Sequence, residues 1–193
     1  MNLKGIKKAA STWATFTLST FAFTLSTSVV AGEFILKSDD FSKPPISSAF
    51  EYNAFGCSGE NHSPSLTWQG EPEGTKSFAI TVHDPDAPTG SGWWHWQVIN
   101  LPATMHYLPK DAGAEHGKNL PAGAIQFKND YGVKAWGGFC PPKGDKPHRY
   151  IFTIYAMAVK KMTPPATTTA AIVGFMVKGN SLGKASFTVE YGR

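Results

Sequence analysis

The stretch Thr81-Val-His-Asp-Pro-Asp-Ala-Pro-Thr-Gly-Ser-Gly-Trp-Trp-His-Trp-Gln-Val-Ile-Asn100 organises the reading of the whole chain. Ser77 to Val82 is a short apolar run with β-branched residues, and Trp93 to Leu101 is another. Both read as strands. Between them Pro85 and Pro88 have no N–H to give a central ladder, and Thr89-Gly90-Ser91-Gly92 supplies a flexible turn. Asp84 and Asp86 therefore leave one strand end, and His95 enters the next a few residues on. Carboxylates and an imidazole meeting beside aromatic residues mark a candidate site. A solvated turn, with the aspartates capping local N–H groups, accounts for the same residues.

Working outward, Glu33 to Leu36, Leu66 to Trp68, Tyr150 to Val159 and Ala185 to Tyr191 also read as strands. The last alternates Ala, Phe, Val and Tyr with Ser, Thr and Glu, the pattern of a half-buried strand. Turn formers separate these runs, as in Gly59-Glu-Asn-His-Ser-Pro64 and Pro72-Glu-Gly-Thr75. Ala166 to Lys178 has no interior proline and fits one short helix ending near Gly179-Asn180. Pro102 to Tyr131 and Gly137 to Pro147 are long irregular stretches, a length that usually accompanies function. The expected fold is mostly β, a sandwich or barrel with one or two short helices.

Residues 1–31 read as a secretory signal, with Lys4, Lys7 and Lys8 before an uncharged run and cleavage after Ala31. Its many Ser and Thr residues speak against a permanent spanning helix. Residues 32–193 then form a single domain, placed in the periplasm or outside the cell. Removing three lysines from a net charge of +4 leaves +1 on 162 residues. That near-neutral balance, without an Arg/Lys stripe, sets nucleic-acid binding aside. Membrane contact would be limited to the uncleaved signal. Cys57 and Cys140, the two cysteines, are expected to form a disulfide in an oxidising compartment. Neither has the spacing of a metal site, and no cofactor is expected.

Asp84-Pro-Asp-Ala-Pro88 with Trp94-His95, then Cys140-Pro-Pro-Lys-Gly144 and His148-Arg149-Tyr150, resembles the phosphatidylethanolamine-binding protein family. The likeness is to its bacterial, Raf-kinase-inhibitor-like (YbhB/YbcL-type) branch. Asn61 to Trp68, Pro72 to Thr75 and Asn129-Asp-Tyr-Gly132 fit that branch too. The resemblance implies a Greek-key β-sandwich with a small anion-binding pocket, walled by Asp84, Asp86, His95, Gly138, Pro141, His148 and Tyr150. Many eukaryotic members carry a C-terminal helix beside the pocket. This chain stops at Arg193 just past a strand, so a more open pocket is expected and lipid binding is not carried over.

Two carboxylates and two imidazoles support three readings. In an anion receptor His95 and His148 donate to phosphate-type oxygens, oriented by Asp84 and Asp86. Protonation of both, favoured by the carboxylates, would strengthen binding as pH falls. A metal site lacks spacing that would hold ligands rigidly, and a hydrolase built on His95 and Asp84 lacks an evident nucleophile. A carbohydrate platform on Trp93, Trp94 and Trp96 is a further alternative. Arg149 is expected to pair with Asp84 or Asp86 within the fold. His62, His83, His106 and His116 read as solvated, and Lys143 and Lys146 as exposed loop residues. The receptor, a binding protein without turnover that recognises an anionic small molecule or protein side chain, ranks first.

Overall fold

The strands are β1 (Ile35–Lys37), β2 (Leu66–Gln69), β3 (Ser77–Asp84), β4 (Trp93–Pro102), β5 (Tyr107–Leu108), β6 (Ile125–Gln126), β7 (His148–Met157) and β8 (Ser181–Tyr191). One α-helix, α1 (Ala170–Gly179), accompanies them. They are seen in a computed structural model that describes residue 1 and residues 32–165 and 167–193. The expected signal, apart from Met1, lies outside the described residues.

β3 is central because it can be buried on both faces. It lies between β4 and β7 in a five-stranded sheet of order β6-β4-β3-β7-β8, antiparallel throughout. Phe78, Ile80 and Val82 point to one face, where Leu36, Leu66, Trp68 and Leu108 of the three-stranded β1-β2-β5 sheet close over them. Ala79 points the other way, into a cluster with Ile99, Tyr155 and Met157 that Val173 and Val177 of α1 cover. The sandwich therefore has a helix against its outer face. β7 returns to pair with β3 across more than sixty residues of chain, the non-sequential neighbour relation of a Greek-key crossover.

Two irregularities interrupt the β4 ladder. Val82 pairs with Trp96 and His83 with Trp94, so His95 has no partner on β3 and is the extra residue of a β-bulge. The second lies between Val98 and Leu101, where Asn100 takes a left-handed backbone, φ 63°. Its side chain donates to Met162 O and accepts from Met162 N, pinning the segment that leads to α1.

The sequence reading and the structure differ in detail. The stretch after Pro102 contains β5, β6 and a 3-10 turn at Glu115–Gly117. β7 starts at His148, two residues earlier than expected, and β8 at Ser181, four earlier. Pairing with β7 carries Ser181-Leu-Gly-Lys into the ladder despite weak local propensity. α1 starts at Ala170, because Thr169 is extended and its hydroxyl accepts from Ile172 N.

Candidate functional site

Antiparallel pairing brings the end of β3 beside the starts of β4 and β7. Asp84, His95 and His148 are thereby gathered at one end of the sheet. Asp84 is 3 % exposed and both its oxygens are occupied. Oδ1 accepts from the N–H groups of Asp86 and Ala87 at 2.8 and 3.1 Å, and Oδ2 accepts from His148 Nδ1 at 2.8 Å. Asp84 thus turns the loop and holds His148 in one tautomer: Nδ1 carries the proton, leaving Nε2, which lies 3.8 Å from Asp145 Oδ2.

His95 is 2 % exposed. Its Nδ1 donates to Gly137 O at 2.6 Å, and since a carbonyl only accepts, the neutral ring keeps Nε2 as an acceptor. Burial pushes its pKa down to about 4, against the opposing pull of the Gly137 carbonyl and the Asp84 charge. The expectation that carboxylates raise this histidine is therefore corrected, since desolvation outweighs them. The rings of Tyr131 and Tyr150 stand edge-on to it at 5.6 and 5.0 Å. The Tyr150 hydroxyl is buried without a hydrogen-bond partner, and burial raises its pKa above the ordinary phenol value.

A cavity of about 340 Å³ opens on this group. Asp84, His95 and His148 line it together with Ala87, Pro88 and Thr89 of the connecting loop. Phe55, Trp93 and Tyr131 form an aromatic wall, and Cys140, Pro142 and Arg193 complete the lining. A larger cavity, about 520 Å³, lies between the Glu115–Gly117 turn and β6. Glu115, His116 and Lys134 are exposed there, and Gln126 is already bonded to Trp96 Nε1 and Ala114 O. It holds no unused buried polar group, so chemistry favours the Asp84 cavity.

The other expected wall residues support the cavity from behind. Asp86 faces away, its carboxylate forked by Arg149: Nε donates to Oδ2 at 2.9 Å and Nη2 to Oδ1 at 2.8 Å. The guanidinium holds the Asp86 carboxyl far below the usual carboxylate range. Gly138 donates to Asn61 Oδ1 and its carbonyl accepts from Tyr131. A Cβ at Gly138 would lie 2.5 Å from Phe50 O and Tyr52 N, so only glycine fits. Pro141 O accepts from Arg193 Nε, and Tyr150 is fully buried beneath His95. Cys57 and Cys140 are joined in a disulfide, Cα atoms 5.9 Å apart. The three neighbouring indoles form no common platform: Trp93 lines the cavity, Trp94 lies against His83 and Trp96 is fully buried. His62 bonds Asp111, His106 bonds Glu71 and His83 Nε2 lies 3.1 Å from Ser91 O, so these three are paired instead of merely solvated. Among the described residues no group of three His, Cys, Asp or Glu comes together to hold a metal ion.

A family model for phosphatidylethanolamine-binding protein matches residues 42–192. The chain belongs to the phosphatidylethanolamine-binding protein family. Within it, the UPF0098 protein YbcL of Escherichia coli K12 is 53 % identical over 146 residues, covering 76 % of this chain and 80 % of that protein. Its crystal structure, described as a new member of the mammalian PEBP family, superposes with a TM-score of 0.80 at 50 % identity, covering 84 % of this chain and 99 % of that one. YbhB of the same organism is 45 % identical over 140 residues, 72 % of this chain and 87 % of that protein. A protein named putative lipoprotein LppC of Mycobacterium tuberculosis H37Rv is 36 % identical over 114 residues, 59 % of this chain and 52 % of its own length. As a phosphatidylethanolamine-binding-family domain, the chain is a binding protein by kinship, and its cavity is the natural place to look for the ligand.

Phe55, Tyr131 and Arg193 are not among the site residues expected from sequence, and Trp93 is expected there only as part of a carbohydrate platform. Tyr131 sits in Asn129-Asp-Tyr-Gly132, a motif that fits the family without showing its place in the wall. Phe55 and Arg193 stand in no motif and carry no local signal.

Proposed function

We propose that this is an exported, non-catalytic binding protein whose Asp84 cavity takes a phosphate-type or other anionic group, through which it regulates or inhibits a partner. The anion belongs either to a small molecule or to a protein side chain. One observation carries the reading. Arg193 lines the cavity with a guanidinium bonded only to carbonyls, over a floor where both Asp84 oxygens are already spent on internal donors. Asp86, whose charge would repel an anion, is neutralised by Arg149 outside the cavity. With Asp86 paired, Asp84 and Arg193 remain as side chains of opposite charge on the cavity lining.

Export is supported by the basic start and uncharged run of residues 1–31, by the disulfide, and by kinship to a protein named as a lipoprotein.

The buried Asp84–His148 pair favours a second reading, since an oriented imidazole is also half of a general-base device. It lacks a free nucleophile: the two hydroxyl residues on the cavity wall, Thr89 and Tyr131, donate to Gly92 O and Gly138 O. Calorimetric titration of sulfate and phosphate into protein lacking residues 1–31, beside a panel of ester and phosphoester substrates, tests the proposal. Saturable binding without turnover is expected. Absence of binding overturns the receptor, and turnover lost in His148→Ala would establish the hydrolase.

A further inference from the structure

Phe55 and Arg193 lie outside the sequence motifs quoted above, yet both line the Asp84 cavity. Phe55 is 69 % exposed, so its ring stands at the solvent edge of that cavity. Its backbone is left-handed, φ 56°, and Gly56 follows at 79°. A phenylalanine gains no stability from a left-handed backbone and an exposed ring, and such strain gathers where a ligand is clamped. The ring lies 5.3 Å from Tyr131, edge to face, and 6.1 Å from Tyr52.

Arg193 spans the same region. Nε donates to Pro141 O at 2.7 Å and Nη1 to Gly56 O at 2.6 Å. Those carbonyls belong to the residues flanking Cys140 and Cys57, so the guanidinium bridges the two loops that the disulfide already joins. Carbonyls fix its position and leave its charge intact, unlike Arg149, whose fork Asp86 fills. The cavity thus offers a fixed cation and, alongside, aromatic surface from Phe55, Trp93 and Tyr131.

We propose that the ligand is an organic anion with an aromatic or apolar substituent next to its charged group, Arg193 binding the charge and Phe55 covering the substituent. This rests on the anion-receptor reading and adds the ligand's class and the two residues that select it. Methyl sulfate and phenyl sulfate carry the same charged group and separate the two contributions. In calorimetric titrations the unaltered protein should bind phenyl sulfate about 10-fold more tightly than methyl sulfate. Phe55→Ala should remove most of that preference, weakening phenyl sulfate far more than methyl sulfate. Arg193→Gln should weaken both esters by about 10-fold or more. Equal affinity of the unaltered protein for the two esters overturns the ligand class, and a preference that survives Phe55→Ala overturns the role of Phe55. An Arg193→Gln protein that binds both normally overturns the role of Arg193. In each of those cases binding by the unaltered protein leaves the receptor standing, whereas binding of neither ester nor inorganic sulfate overturns the receptor and this inference together.

Discussion

A histidine sealed into the floor of a cavity is a liability in acid. His95 has its folded pKa near 4, below the ordinary value of 6.5, because burial disfavours the charged ring. Above pH 6.5 the ring is neutral in both states and stability does not depend on it. As pH falls the unfolded chain takes up a proton that the folded protein refuses. The protein should therefore lose on the order of 3 kcal/mol between about pH 6.5 and about pH 4 from this group alone. Urea denaturation across that window should show the loss. His95→Asn keeps a donor for Gly137 O without titrating there and should flatten the slope; an unchanged slope would place the loss elsewhere. For the same reason His95 should contribute no charge to anion binding between about pH 8 and about pH 5. His148 poses a different risk, being 3 % exposed and bonded to a buried carboxylate. His148→Ala leaves Asp84 Oδ2 unpaired and should cost about 3 kcal/mol of stability, measurable by the same denaturation. Both imidazoles are interior groups, although they stand near the starts of β4 and β7.

The elements converge on the site through β4. Its bulge at His95 is the device that lets one strand feed Trp96 to the core, Trp93 to the cavity and His95 to the floor. Sequence made the strands around this point legible: the two prolines and the Gly-rich turn bracket β3 and β4, and the Asp84 and His148 motifs lie on neighbouring strand ends. The bulge itself was not legible, because a one-residue insertion leaves no trace in an apolar run. Neither was the separate role of Asp86, since two aspartates on either side of one proline look alike until the turn sends one inward and one to Arg149. β8 begins earlier than its alternation suggests because an edge strand takes its start from its partner. Behind the cavity, the loop through Gly138 packs so tightly on Phe50 and Tyr52 that Gly138→Ala should cost about 1–3 kcal/mol, read as a lower denaturation midpoint with the fold retained. At α1 the cap is a smaller term: Thr169→Ala should cost about 1 kcal/mol.

For the molecule as a whole, the disulfide sets the terms on which the cavity persists. Cys57 and Cys140 are 83 residues apart in sequence, so closing that loop should stabilise the fold by about 4–5 kcal/mol in the chain-entropy model. The bridge should matter twice, because Cys140 lines the cavity and Arg193 rests on carbonyls beside both cysteines. Reduction is expected to lower the denaturation midpoint and to weaken anion binding, and binding that survives reduction intact would separate the two roles. Secreted protein should begin near Gly32 and carry no free thiol, which intact mass with and without reductant decides. Among the described residues three indoles are interior, Trp93 is in the cavity and Trp94 lies half-buried against His83. Trp68, Trp96 and Trp136 are at most 1 % exposed, whereas Trp93 stands in the cavity wall with Tyr131 5.2 Å away. The interior indoles emit from a dark, unchanging background, beyond the reach of iodide. Of the two half-buried indoles, Trp93 is the one that an incoming ligand would shield while Trp94 would keep its exposure, so the protein carries its own optical gauge of occupancy, readable as a partial fall in quenching without any added dye.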